Sequence, residues 1–166
     1  MFHAALTILI LIVSIVRGKW SRWKDFLPTI YYFSFFNMFY QYISLSIKKV
    51  WELEQVFISQ FITDFVYTFI AYPALVVMFL HKFPDHLRSK VLYVAQYILV
   101  SVFIEWIAYQ SGNIVYFNGW TIWWTAFFYS TMYPMLYLHY VKPLTAYVLS
   151  FILIAFYFYM FDVSIL

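Results

Sequence analysis

In a chain of 166 residues, 66% are hydrophobic, 27% are Phe, Trp or Tyr and 10% are charged, whereas a soluble domain needs about a quarter charged to cover its surface. Lipid must therefore supply much of the solvent. The lack of cysteine excludes disulfides, thiolate nucleophiles, Fe–S clusters and Cys-based zinc sites, and a net charge of +3 confined to short connecting segments excludes a nucleic-acid partner.

Phe2 to Val16 is the first apolar run, about 24 Å long as a helix, and it reaches across a bilayer with Gly18 to Trp20 at the interface. Basic residues follow this run instead of preceding it, the reverse of a secretory signal. Arg17, Lys19, Arg22 and Lys24 alternate with Trp20 and Trp23, a composition suited to the headgroup layer and read as a topology anchor. Pro28 is expected in the first turn of helix two, where a missing N–H costs nothing, and that helix runs to Ile47.

After a mixed-charge loop, helix three is expected from Val56 to Leu80. Pro73 in its interior predicts a kink or a locally loosened backbone. Helix four covers Val91 to Gln110, helix five Thr121 to Tyr140 with Pro134 inside, and helix six Thr145 to Phe161 behind Pro143. The expected fold is thus all-α: a transmembrane helical bundle of six spans forming one domain over residues 1–166. Five spans remain if the first run lies in the interface.

Alternating loops can be tested by charge. Arg17, Lys19, Arg22, Lys24, Lys82, Arg88, Lys90 and Lys142 fall in the odd loops, against Lys48 and Lys49 in the even ones. This bias predicts cytoplasmic odd loops with both termini outside.

Depth then makes the polar residues informative. In the six-span reading Asp64 lies about 12 Å below the outer end of helix three and Glu105 about 6 to 8 Å below that of helix four. Asn37 with Gln41, Gln60 with Asp64, and Glu105 with Tyr109 are each one turn apart and share a helix face. An ionised carboxylate in hydrocarbon is costly, so Asp64 and Glu105 are expected to point inward, into an outward-opening pocket walled by Tyr67, Tyr109, Tyr116, Trp120 and Trp124.

Blander roles compete with this. Asn37, Gln41, Gln60 and Gln96 serve equally as interhelical hydrogen-bonding groups, and Trp120, Trp123 and Trp124 as an interfacial belt. His81, His86 and His139 lie on the opposite side from both carboxylates and lack zinc-ligand spacing, so no metal is expected. His139 beside Tyr140, Lys142 and Pro143 reads as an interface anchor toward a lipid phosphate. GxSxG, Walker and GxGxxG patterns are absent, and no cofactor is implied.

Glu105, the segment Gly119-Trp120-Thr121-Ile122-Trp123-Trp124, and His139-Tyr140 followed by Lys142-Pro143-Leu144 resemble the recurrent features of an uncharacterised family of small multi-pass membrane proteins of spore-forming Gram-positive bacteria. The resemblance implies an integral protein of a bacterial cytoplasmic membrane and brings no activity with it. A weaker likeness, a buried Glu ahead of an aromatic Gly-Trp loop, is to membrane enzymes that protonate isoprenoid double bonds, whose full acidic signature is missing here.

Three functions are compatible with these residues. The first is a binding or transport module for an amphipathic or cationic small molecule, held by Glu105 with Asp64. The second is a lipid- or isoprenoid-modifying enzyme with Glu105 as proton donor. The third is an accessory subunit of a membrane complex. The partners expected are the lipid bilayer, a small-molecule or lipid ligand and, in the third case, a membrane protein.

Overall fold

The computed structural model describes residues 2–53 and 60–163. They form α1 (Phe2–Arg17), a short 3-10 turn (Trp20–Arg22), α2 (Trp23–Ser46), β1 (Trp51–Leu53), α3 (Gln60–Val66), a π-helical turn (Tyr67–Ala71), α4 (Tyr72–His81), α5 (Leu87–Gln110), β2 (Ile114–Tyr116), α6 (Ile122–Val141) and α7 (Pro143–Met160). Because α3, the π turn and α4 are continuous, the described residues make an all-α bundle with one small strand pair.

Three helical stretches are long and apolar enough to cross a membrane: Ile62–His81, Leu87–Gln110 and Pro143–Met160. α2 and α6 are also long, but their tyrosines, tryptophans, serines and threonines lower their hydropathy. Their position explains that composition. α2 packs between α4 and α6, and α5 and α7 flank α6. The main core lies where Phe26, Ile30 and Phe33 of α2 meet Val76, Phe79 and Leu80 of α4 and Met132, Tyr133 and Leu136 of α6. The more polar helices thus turn toward one another, while α5 and α7 expose Leu92, Leu99, Phe103, Val148, Phe151 and Ile152. An apolar face of that extent is compatible with a lipid-embedded protein.

The chain ends sort into two groups. At the basic end, Phe83 stacks on Tyr137 at 3.9 Å, Lys90 Nζ donates to the Tyr137 hydroxyl (2.9 Å), and Phe26 packs on Tyr140. At the opposite end, His3 Nε2–H donates to Asn113 O (2.7 Å) and Lys48 Nζ to Asp162 O (3.0 Å), so both chain termini meet the two even loops there. Those loops pair directly: β1 and β2 run antiparallel with Trp51 opposite Tyr116 and Leu53 opposite Ile114. The pairing was not expected from the sequence, because strands of three residues have no detectable period and their register is set across sixty residues of chain. Leu53 and Ile114 point inward onto Tyr67, Ala71 and Ala108, and Val115 points out, the alternation a strand imposes.

Local departures from expectation have identifiable causes. The first run is joined to the second at a sharp angle: the chain bends by 87° between α1 and the stretch Trp20–Ser46, and α1 packs on α4 and the π turn. Ser14 fixes the bend, its Oγ donating to Ala74 O (3.0 Å) and accepting from Trp20 Nε1 (3.1 Å). Pro28 is inside α2 and not in its first turn, because the helix begins earlier, at Trp23, where Asp25 pairs with Arg22 at 2.7 Å.

The loosened backbone expected at Pro73 is the π turn just before it. Pro73 carries no N–H, and its ring would crowd the carbonyl four residues back; widening the turn moves that carbonyl away. In this register the missing N–H would have served Thr68 O, and Ser34 Oγ on α2 donates there instead, at 3.0 Å. Pro134, by contrast, leaves α6 unbroken.

Candidate functional site: a hydroxyl-caged carboxylate on an internal cavity

α5 carries Tyr93, Tyr97, Ser101 and Glu105 at four-residue intervals, and α6 carries Thr125, Tyr129, Tyr133 and Tyr137 at the same interval. Four residues is slightly more than one turn, so each set forms a stripe down one face. The helices pack with the stripes facing: Ser101 and Tyr133 hydroxyls meet at 2.6 Å, and Glu105 meets Thr125 and Tyr129. The polar groups thereby solvate one another inside an apolar pair of helices.

Glu105 is the acceptor at the head of this seam. Its Oε1 receives Tyr116 O–H (2.8 Å) and Thr125 Oγ1–H (2.6 Å), and its Oε2 receives Tyr129 O–H (2.8 Å). Thr125 Oγ1 in turn accepts Trp120 Nε1–H at 3.0 Å. Three hydroxyls thus converge on one carboxyl group and occupy both of its oxygens. Burial, and then the neighbouring Glu105 charge, push the Tyr116 phenol above its ordinary range, so it keeps the proton it donates. Among the described residues the ion pairs are Arg22 with Asp25, Lys48 with Asp162 and Lys49 with Glu52, and none reaches Glu105.

The strand pair positions Tyr116. Tyr40 stacks on Trp51 at 4.6 Å and donates to Trp51 O (2.8 Å), which steadies β1 and, through the pairing, β2. The turn into α6 uses Asn118 and Gly119, both at positive φ (52° and 84°), with Asn118 Nδ2 donating to Lys49 O at 2.6 Å.

Behind Glu105 lies a partly open cavity of about 410 Å³, within the range of small-molecule sites. Its wall is mostly apolar, and Glu105, Thr125, Tyr129, Ser101 and Tyr133 give it one polar side.

Of the residues singled out from sequence, the structure gathers Glu105, Tyr109, Tyr116, Trp120 and Trp124 into one cluster. Tyr109 stacks on Tyr116 at 4.5 Å, and Trp120 and Trp124 lie 6.4 Å apart, packed with Phe161. Trp120 is buried, whereas Trp123 is exposed as a belt residue would be. Asn37 and Tyr67 line the same cavity, and Asn37 Nδ2 also donates to Thr68 Oγ1 at 2.6 Å.

Asp64 and Gln41 line a second, smaller cavity of about 10 Å³ together with Ser44, Lys49 and Glu52. Trp51 and Leu53, the latter driven inward by the β pairing, line both cavities. The Gln60 side chain falls outside the described residues. His139 does not face a lipid phosphate; it is buried, within 3.0 Å of Thr29 Oγ1 and stacked on Tyr32 at 4.2 Å.

Thr125 and Tyr129 were missed from sequence. The signal was present, since two hydroxyls one turn apart on a span adjacent to a buried Glu are natural donors to it. Comparison with known proteins returns no match: no family model, no curated protein and no solved structure is similar to this chain.

Proposed function

We propose that the protein is an integral membrane binding module, with a capacity for transport, for an amphipathic cationic small molecule that neutralises Glu105 from within the bundle. The observation that carries this reading is the Glu105 carboxylate itself, held by three hydroxyls and no cation on the wall of a large apolar cavity. A carboxylate offers about four acceptor positions, and three hydroxyls leave one, with the full charge, for a ligand. Aromatic faces around it suit a positive group.

For the reading in which Glu105 protonates a double bond, no second carboxyl group among the described residues lines the cavity to restore the proton. The bundle is proposed to sit in a bacterial cytoplasmic membrane with the basic end inside and both termini outside. The charge bias of the loops supports this orientation, and the GWTIWW and HYVKPL resemblance supports the membrane.

Native mass spectrometry of the gently purified protein, wild type beside Glu105→Gln, tests the function. The expected result is a small cationic adduct on the wild type that is lost in the isosteric variant. An adduct equally present on both would exclude Glu105 as the binding group, and a stoichiometric protein partner retained by both would favour an accessory subunit instead.

A further inference from the structure

The shape of the cavity narrows the class of ligand. On α2 it is lined from Tyr32 to Ile43 and on α6 from Thr125 to Leu136, twelve residues in each case and about 16 Å along the helix. The lining therefore runs through about three turns of the bundle.

Its two ends differ in chemistry. Glu105, Asn37, Tyr67, Thr125 and Tyr129 surround the part nearer the termini. Toward the basic end the wall becomes Phe33, Leu75, Met78, Met132 and Leu136. Three flanking methionines, Met78, Met132 and Met135, give this part an adaptable lining suited to a flexible occupant. At the opposite mouth Val50, Trp120 and Phe161 pack together over the channel, which leaves little room for a tail to point outward.

Resting on the binding function proposed above, we infer that the ligand is a single-chain alkylammonium amphipath, seated with its cationic head on Glu105 and its linear tail running inward between α2, α4, α6 and α7. A fully neutral lipid leaves the Glu105 charge without a counter-ion.

The test uses dodecyltrimethylammonium carrying a diazirine at the chain terminus, photolysed on the full chain in phosphatidylcholine nanodiscs and mapped by peptide mass spectrometry. Adducts are expected on Met78, Met132 and Leu136, competed by unlabelled dodecyltrimethylammonium and reduced about tenfold or more in Glu105→Gln, in line with loss of a charged contact. Leu75→Trp, on α4 in the inner part of the cavity, is expected to abolish those adducts for the dodecyl probe and to spare them for a hexyl one.

Competable adducts confined to the outward faces of α5 and α7, at Leu99, Phe151 or Ile152, and lost in Glu105→Gln, would overturn the inward tail while leaving the cation site standing. Inner adducts indifferent to Glu105→Gln would keep a tail channel but remove the cationic head, and with it the function proposed above. The absence of any competable adduct would overturn both.

Discussion

At the scale of residues, Glu105 is tolerable inside the bundle because its charge is distributed over hydroxyl donors. Thr125 is the most exposed to test among them, since it donates to Glu105 Oε1 and accepts from Trp120 Nε1 at once. Thr125→Val keeps the shape and removes both bonds, leaving a buried indole N–H and part of a carboxylate unmet. Each unmet group costs about 1–3 kcal/mol, so the variant is expected to show a clearly lower thermal midpoint and a shifted Trp120 emission. Tyr129→Phe removes the only donor to Oε2, and a loss of the same order is expected. A Thr125→Val protein as stable as the wild type would mean that the Thr125 bonds contribute nothing. Much of this arrangement could be read beforehand: Glu105 was marked by its charge, and Tyr116 and Trp120 by proximity in sequence. Asp64, marked by the same reasoning, lines the smaller cavity, because depth in a helix does not specify which neighbour a side chain faces.

At the scale of elements, helix identity and length follow from hydropathy, whereas bends and strand pairing depend on contacts between distant segments. α1 is the clearest case. Its composition reads as a span, but Ser14 and Gly18 tie its end to α4 and turn the chain by 87°. A Cβ at Gly18 would sit 2.5 Å from Ser14 O, a backbone atom, and 3.3 Å from Val77 Cγ1. Gly18→Ala therefore cannot keep the bend. Overpacking of this kind costs about 1–3 kcal/mol, and faster hydrogen exchange is expected along the second half of α1, with the α5 and α6 seam unchanged. Unaltered exchange in α1 would show that the bend yields to a methyl group without loss. The π turn illustrates the converse, where sequence reasoning found the place and not the form. Pro73 announces a backbone defect, but only the position of Ser34 on α2 shows which carbonyl is left to be satisfied.

At the scale of the whole molecule, the two ends of the bundle have different chemistry, and this makes its orientation testable. The even loops and both chain termini are joined at one end by the β1–β2 pair and by the His3 and Lys48 contacts. The other end gathers the odd loops with their excess of Lys and Arg. Geometry alone links the loops of each end but does not say which end faces the cytoplasm; charge supplies that direction, because basic loops resist translocation. The lack of cysteine removes background labelling, so single substitutions report sidedness directly. Val115→Cys on the outward face of β2 and Asp85→Cys in the loop before α5 are both exposed. A membrane-impermeant maleimide applied to intact cells is expected to label Val115→Cys at once and Asp85→Cys only after permeabilisation. The reverse pattern would invert the bundle and turn the Trp120 and Phe161 mouth toward the cytoplasm. Labelling of both from one side would break the alternation itself, and with it the assignment of α5 as a complete crossing.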